Sequence, residues 1–368
     1  MLSQRFRILA IGFAVLLLLP TLDQIFSFSS QFKSTENRRP TPFPTFSFQK
    51  AVTFAKQFNL YYKESFGFRS TLVYAYSVWK FNTLRQSPLP EKVIVGKNGW
   101  LFLGNNDNDV VNQHRGLNPF NDKEVERISA RLSYWQQTLA RLGIKFYVVI
   151  APDAHNIYRE YLPDALHHTN GKTRLDILRE TVKQQAKVVF IDLSDTLITE
   201  RSTHAVFYKT DSHWNNYGAF ISCAKLISRI QRDYRELKLL QLTDYHLVKT
   251  TRTGGDLAAL FMFQDKMTDT FYNLFPNSAQ TLTGSTEIPN EKSGLPSYKL
   301  SGPRKTLPKL MFIGDSYSTS MMQFLGSCFR ESYFIRGNQI DLSLVKKEQP
   351  DILVIEIAER NINLLVDL

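Results

Sequence analysis

The chain has 368 residues, of which 43% are hydrophobic and 21% charged, enough to build a sizeable buried core and too apolar for a wholly disordered chain. Two cysteines exclude a disulfide scaffold and a four-cysteine zinc site. The net charge of +11 suits an anionic partner such as a lipid surface or an acidic polysaccharide. Without a zinc finger, an aromatic RNA-binding signature or a long basic run, nucleic acid is not an expected partner.

The first segment sets the compartment. Arg5 and Arg7 precede the apolar run from Ile8 to Leu19, which Pro20 and Asp23 are expected to close. Positive charge followed by a short apolar core marks export, with the arginines held in the cytoplasm. Phe6 to Leu22 is long enough to span a bilayer when its flanks snorkel. An Ala-x-Ala cleavage site is missing, and Ser27-Phe28-Ser29 is a poor substitute. The reading adopted is therefore an uncleaved signal anchor over residues 1–24, with a cleaved signal as the alternative. Both place the rest of the chain outside the cytoplasm. There Cys223 and Cys328 either pair or stand as two separate buried thiols.

Residues 25–48, rich in Ser, Phe, Pro and Thr, read as a linker, and the folded domain is expected over 49–368. Within it, apolar residues at helical spacing predict a helix from Asp122 to Leu142, ended by Gly143. Residues 145–150 form a continuous apolar strand. A helix over 173–185, a strand over 187–192 and a helix over 216–232 follow. The strand 309–314 leads into a helix near 318–326, and strands at 332–335 and 351–355 flank a further short helix. Unbroken apolar strands alternating with helices predict an α/β fold, a parallel sheet with helices on both faces. Its working site belongs beyond the carboxyl ends of the strands, at residues 152–158, 192–195, 314–318 and 356–360.

Two motifs fall near that edge. Gly314-Asp315-Ser316 joins a strand to a helix, which exposes the serine hydroxyl and aims its N–H out of a helix N-terminus, where an oxyanion is stabilised. The same three residues also make an ordinary turn that caps the next helix. Asp211-Ser212-His213-Trp214 supplies what a serine nucleophile lacks, an imidazole to take its proton and a carboxylate to orient that imidazole. In extended backbone, residues two apart point the same way, so Asp211 and His213 present themselves together. Its bland reading is a capping segment before the helix at Asn216. The seven histidines lack ligand-like spacing, so no metal and no cofactor is expected.

Several segments resemble the alginate O-acetyltransferase family, the AlgX/AlgJ-like proteins with an SGNH-hydrolase-like domain. They are Phe66-Gly67-Phe68-Arg69, Gly96-Lys97-Asn98-Gly99-Trp100-Leu101-Phe102-Leu103, Asp211-Ser212-His213-Trp214-Asn215 and Gly314-Asp315-Ser316-Tyr317, joined by Gly254-Gly255-Asp256-Leu257 and 355–361. The Asp-His block precedes the serine block, the circularly permuted order of this family, and Asp-Ser-His stands where Asp-Thr-His is typical. The resemblance implies a Ser-His-Asp enzyme that moves acetyl groups onto an extracellular or cell-envelope polysaccharide. Ser316 is then the nucleophile, His213 the general base and acid, and Asp211 its orienter. It also implies a periplasmic domain held to the inner membrane by its N-terminal helix, and a membrane-bound O-acyltransferase as partner and source of acetyl. An esterase using the same triad and a non-catalytic polysaccharide-binding member of a secretion complex are the rival readings.

Arg360, Tyr317, Asp153 and Arg69 are the expected substrate contacts, with His155 and Tyr158 beside them. For Arg69 and Arg360 a structural ion pair is the bland alternative. The Tyr317 N–H and Asn338 are candidate oxyanion donors beside the Ser316 amide. Trp100, Phe102 and Trp214 read as core.

Overall fold

A computed structural model describes residues 2–29, 41–48, 51–186, 188–277, 282–289 and 294–368. Seven strands form the main sheet, in the order Val189–Asp192, Lys145–Ala151, Ile352–Ala358, Lys309–Gly314, Glu331–Arg336, Ser297–Ser301, Gly284–Ile288. The first five run parallel, and the last two are added antiparallel at one edge.

The central strands are apolar throughout because both faces are covered. Along Ile352–Ala358, Leu353, Ile355 and Ile357 point to one face, where Ile128, Leu132 and Leu139 of the helix Asp122–Arg141 pack. Ile352, Val354 and Ala358 point to the other, toward Ala219, Phe220 and Leu226 of the helix Asn216–Ile230. The long helix starts on a capping box, with the Asn121 side chain accepting from Glu124 N–H and Glu124 reaching back to Asn121. It stops before Gly143, whose φ of 75° a residue with a Cβ rarely adopts.

Sequence pattern found the five parallel strands but not the antiparallel ones. Gly284–Ile288 reads Gly-Ser-Thr-Glu-Ile and is exposed along nearly its whole length, so it carries no apolar signal; its partner strand supplies its order. The hairpins Val93–Val95/Leu101–Leu103 and Tyr245–Thr253/Thr268–Pro276 were also missed. The expected helix over 173–185 divides into an α-helix, Arg174–Thr181, and a π-helical turn, Val182–Ala186.

The N-terminal helix runs from Leu2 to Phe26, through Pro20 and past the expected stop. Asp23 lies within its last turns, where its buried carboxylate accepts from Ser29 N–H and Oγ and from Phe68 N–H. Ser27 ends the helix with φ 55°. From Gln4 to Phe26 the helix is long and apolar enough to cross a membrane. Of the expected linker, residues 41–48 lie against the helix Ala51–Ser65, with Phe46 5.1 Å from Phe54. Residues 30–40, and 49–50 where the domain was expected to start, lie outside the described residues. Cys223 and Cys328 are free thiols, and burial pushes both up.

Leu353 is fully buried in the middle of the central strand. Leu353→Ala should destabilise the protein by about 3 kcal/mol through lost burial and the cavity left behind, read from denaturant unfolding of the detergent-solubilised chain.

Candidate active site

Gly314 ends its strand where nothing larger fits: a Cβ there would lie 2.6 Å from Glu356 Oε2 and 2.7 Å from the Ser318 Cβ. The turn that follows is braced from all sides. Asp315 accepts from Tyr317 N–H at 3.1 Å, from Ala358 N–H at 2.8 Å and from Asn361 Nδ2 at 3.2 Å. Its own N–H donates to Glu356 at 3.2 Å, and the Arg336 guanidinium donates to its carbonyl and to Thr319 Oγ1. Asp315 is thus a structural brace, and Ser316, half-buried, is carried on the loop it holds. Burial and the charge of Asp315 push the Glu356 carboxyl well above its usual range.

The second motif is held from below by Asp269, which accepts from Lys209 N–H, Thr210 N–H and Thr210 Oγ1 at 2.9, 2.7 and 2.6 Å. Asn215 then caps the helix Asn216–Ile230 by accepting from Gly218 N–H. Between these two fixings, Asp211 Oδ1 accepts from His213 Nδ1 at 2.8 Å and from His213 N–H at 3.0 Å. That bond leaves Nε2 as the basic nitrogen, and Nε2 is buried with no hydrogen-bond partner.

A third acid belongs to the cluster. Asp256 accepts from Ser212 N–H at 2.8 Å and from Ser212 Oγ at 2.5 Å, lies 3.7 Å from His213 Nδ1, and donates its own N–H to Asp211 at 3.1 Å. Burial works against charge on all three groups, and their neighbours then separate them. The hydrogen bond from His213 and its charge bring Asp211 below the usual carboxylate range. Against its burial, His213 is raised by Asp211 and, less, by Asp256. Asp256 is raised by burial and by the negative charge of Asp211. Asp211, His213 and Asp256 offer ligand-type atoms within 4.8 Å of one another, but these atoms are already spent on each other and on Ser212.

The two motifs meet through Tyr317. Its ring lies 5.2 Å from that of His213 and 4.8 Å from Trp214, and its hydroxyl donates to the Ser212 carbonyl at 2.8 Å. Trp214 Nε1 reaches across to Ser320 Oγ at 2.7 Å. Below Tyr317, the Arg360 guanidinium pairs with Asp153 and lies 5.3 Å from the Tyr317 ring, while Arg360 N–H donates to Asp153 at 2.8 Å.

Of the expected substrate contacts, Tyr317, Asp153 and Arg360 are buried and bond to one another. His155 and Tyr158 are buried as well, bonded to the Leu103 carbonyl and the Val206 N–H. Arg69 opens the helix Arg69–Leu84, one residue past the Phe68 N–H that bonds to Asp23, and so lies at the junction with the N-terminal helix. The Tyr317 N–H is committed to Asp315 and is no free oxyanion donor. Asn338 is half-buried and follows Gly337, whose N–H donates to the Gly314 carbonyl, so it flanks the serine loop. Sequence reasoning missed the roles of Asp256, Glu356 and Arg336; Asp256 had a signal in Gly254-Gly255-Asp256-Leu257 and Glu356 in the segment 355–361, whereas Arg336 had none.

Comparison with known proteins gives the family and the fold. Residues 93–331 match the family described as SGNH hydrolase-like domain, acetyltransferase AlgX. A curated relative, the probable alginate O-acetylase AlgJ of Pseudomonas aeruginosa, is 29% identical over 247 residues, covering 62% of this chain. The match spans 56% of that protein's length. In fold, the chain is similar to Bacillus cereus PatB1 (TM-score 0.57, 13% identity, 73% of this chain and 95% of that one). It is also similar to a DHHW family protein from Eubacterium siraeum (TM-score 0.54, 16% identity, 75% and 98%). With well over half its length matched, the chain belongs to the AlgX-type family of SGNH-hydrolase-like acetyltransferase domains.

Proposed function

We propose that this protein O-acetylates a cell-envelope polysaccharide through a Ser316-His213-Asp211 triad. The observation that carries the reading is the Asp211–His213 bond at 2.8 Å with Nε2 buried and unpartnered, joined through Tyr317 to the loop that carries Ser316. The family and the curated relative, an alginate O-acetylase by name, support the reaction class.

His213 Nε2 takes the Ser316 proton as Oγ attacks the acetyl carbonyl, and the carbonyl oxygen becomes an oxyanion beside the Ser316 N–H. Asp211 holds the tautomer and stabilises the imidazolium. The tetrahedral intermediate collapses as His213 returns its proton to the departing donor group, which leaves acetyl on Ser316. A sugar hydroxyl then attacks, losing its proton to the same nitrogen, and as this second intermediate collapses His213 gives that proton to the departing Ser316 Oγ, which restores the free serine and releases the acetylated sugar. Acetyl comes from a membrane-bound O-acyltransferase. Residues 1–24 tether residues 49–368 through the segment 25–48 on the periplasmic side of the inner membrane, where the +11 charge draws an acidic chain toward the site.

Ser316→Ala should lower acetyl transfer by at least about a thousandfold with the unfolding midpoint unchanged. An assay with an activated acetyl ester, with and without oligosaccharide, separates the outcomes by mass spectrometry. Acetylated oligosaccharide carries the reading; free acetate alone, whatever the acceptor, replaces it with an esterase.

The pH profile follows from the shifts. A general base works only when neutral, so activity rises with pH through the pKa of His213, which Asp211 and Asp256 hold above the ordinary 6.5. Asp211→Asn removes that charge and the correct tautomer. The acid limb should move to lower pH while the plateau falls by about 10²–10⁴-fold.

Gly255 lies against Asp211, where a Cβ would sit 2.4 Å from Asp211 Cβ and Oδ2. Gly255→Ala should therefore displace the carboxylate and cut kcat at least about tenfold with little change in KM, because misplacement by a fraction of an ångström disturbs the relay.

A further inference from the structure

The helices Ala51–Ser65 and Arg69–Leu84 form a hairpin that displays on its outside what a domain usually hides. Phe54, Phe58, Tyr62 and Phe66 recur every four residues, and their rings lie 5.9, 6.3 and 6.2 Å apart in succession. Phe43 and Phe46 add to the same stripe, 5.1 Å from Tyr61 and from Phe54. Yet the helix Ala51–Ser65 contains no buried residue. The second helix faces the domain with Tyr74, Val78 and Phe81, which pack with Phe261 and Phe263. Its opposite face presents Leu72, Tyr76 and Trp79 at helical spacing, 56%, 47% and 53% exposed. Exposed apolar faces of this extent mark an interface.

The occupant follows from where the hairpin is fastened. Its turn is fixed to the end of the N-terminal helix: Asp23 accepts from Phe68 N–H at 2.6 Å, and Gln24 Nε2 donates to Tyr61 Oη at 2.9 Å. Gly67 lies so close that a Cβ would be 2.0 Å from the Pro20 carbonyl oxygen. A helix that crosses a bilayer leaves the hydrocarbon at about this level, after some 20 apolar residues. The aromatic face therefore starts at the depth where Trp and Tyr partition into membranes. A cation borders the second helix's outer face, where the Lys80 ammonium is 5.5 Å from the Tyr76 ring centre. That arrangement suits anionic headgroups.

We propose that the hairpin 51–84 lies in the bilayer interface beside the N-terminal helix, with Leu72, Tyr76 and Trp79 at the acyl-chain boundary and Lys80 among anionic headgroups. One tether alone leaves a domain free to tumble. Two attachments separated along the hairpin fix its orientation, and with it the height of the serine edge above the membrane.

The test uses the full chain in nanodiscs of phosphatidylcholine and phosphatidylglycerol, with no other protein present. Trp79 is the exposed tryptophan; Trp100, Trp135 and Trp214 are buried. Lipids brominated near the glycerol end of the acyl chain should quench the Trp79 emission at least about twofold, as expected of an interfacial indole, and Trp79→Phe should abolish that change. Emission that stays unquenched by the lipid and open to aqueous iodide overturns the proposal, and a protein partner then takes the surface. Failure of the chain to enter nanodiscs overturns it too. Neither result bears on Ser316, whose activity is assayed separately.

Discussion

Arg360 and Asp153 bury opposite charges between the ends of two neighbouring strands, and the site is assembled around that pair. Taking two charges out of water is expensive, and the cost is offset only when the remaining donors and acceptors are satisfied. Here they are: Asp153 also takes the Arg360 N–H, while the guanidinium faces the Tyr317 ring and Asp107. Removing one partner would leave an unpaired buried charge, a loss of about 3–5 kcal/mol. The pair thereby fixes Tyr317, and Tyr317 fixes the relation between the serine loop and the histidine loop. Two segments far apart in the chain are held to one geometry by buried groups that bond to one another.

Above that foundation, burial acts on several carboxyl groups and neighbouring charge sorts them. Asp211 stays ionised because His213 bonds to it, whereas Asp256, beside the negative Asp211, is pushed toward its neutral form. Glu356, sealed under the serine loop, is pushed further in the same direction. Acids in one small volume are thus shifted in opposite directions, and the imidazole beside them is raised chiefly by Asp211 and less by Asp256.

The domain meets the N-terminal helix with the same economy. Asp23 is a carboxylate where an apolar helix ends, and three donors from Ser29 and Phe68 satisfy it. The contact that stabilises this buried acid also sets the helical hairpin against the anchor.

Much of this was legible in the residues. Strands covered on both faces must be apolar at every position, so 145–150, 309–314 and 351–355 announced a parallel sheet and its working edge. Asp211 and His213, two apart, do meet, though across a bend in which Asp211 accepts the His213 N–H and not along extended backbone, and the Gly-Asp-Ser turn needed only a strand before it and a helix after. What the sequence did not determine was which polar residues face solvent. Tyr317, Asp153 and Arg360 lie at the predicted edge, but whether such side chains greet a substrate or bury themselves against one another depends on partners up to 207 residues away. Asp256 joins the histidine for the same reason: its place is set by hydrogen bonds to Ser212 and Asp211 across 44 and 45 residues. Periodicity and turn chemistry act within a few residues and can be read locally, whereas burial and hydrogen-bond satisfaction are properties of the closed structure, and so the tertiary fold alone decided them.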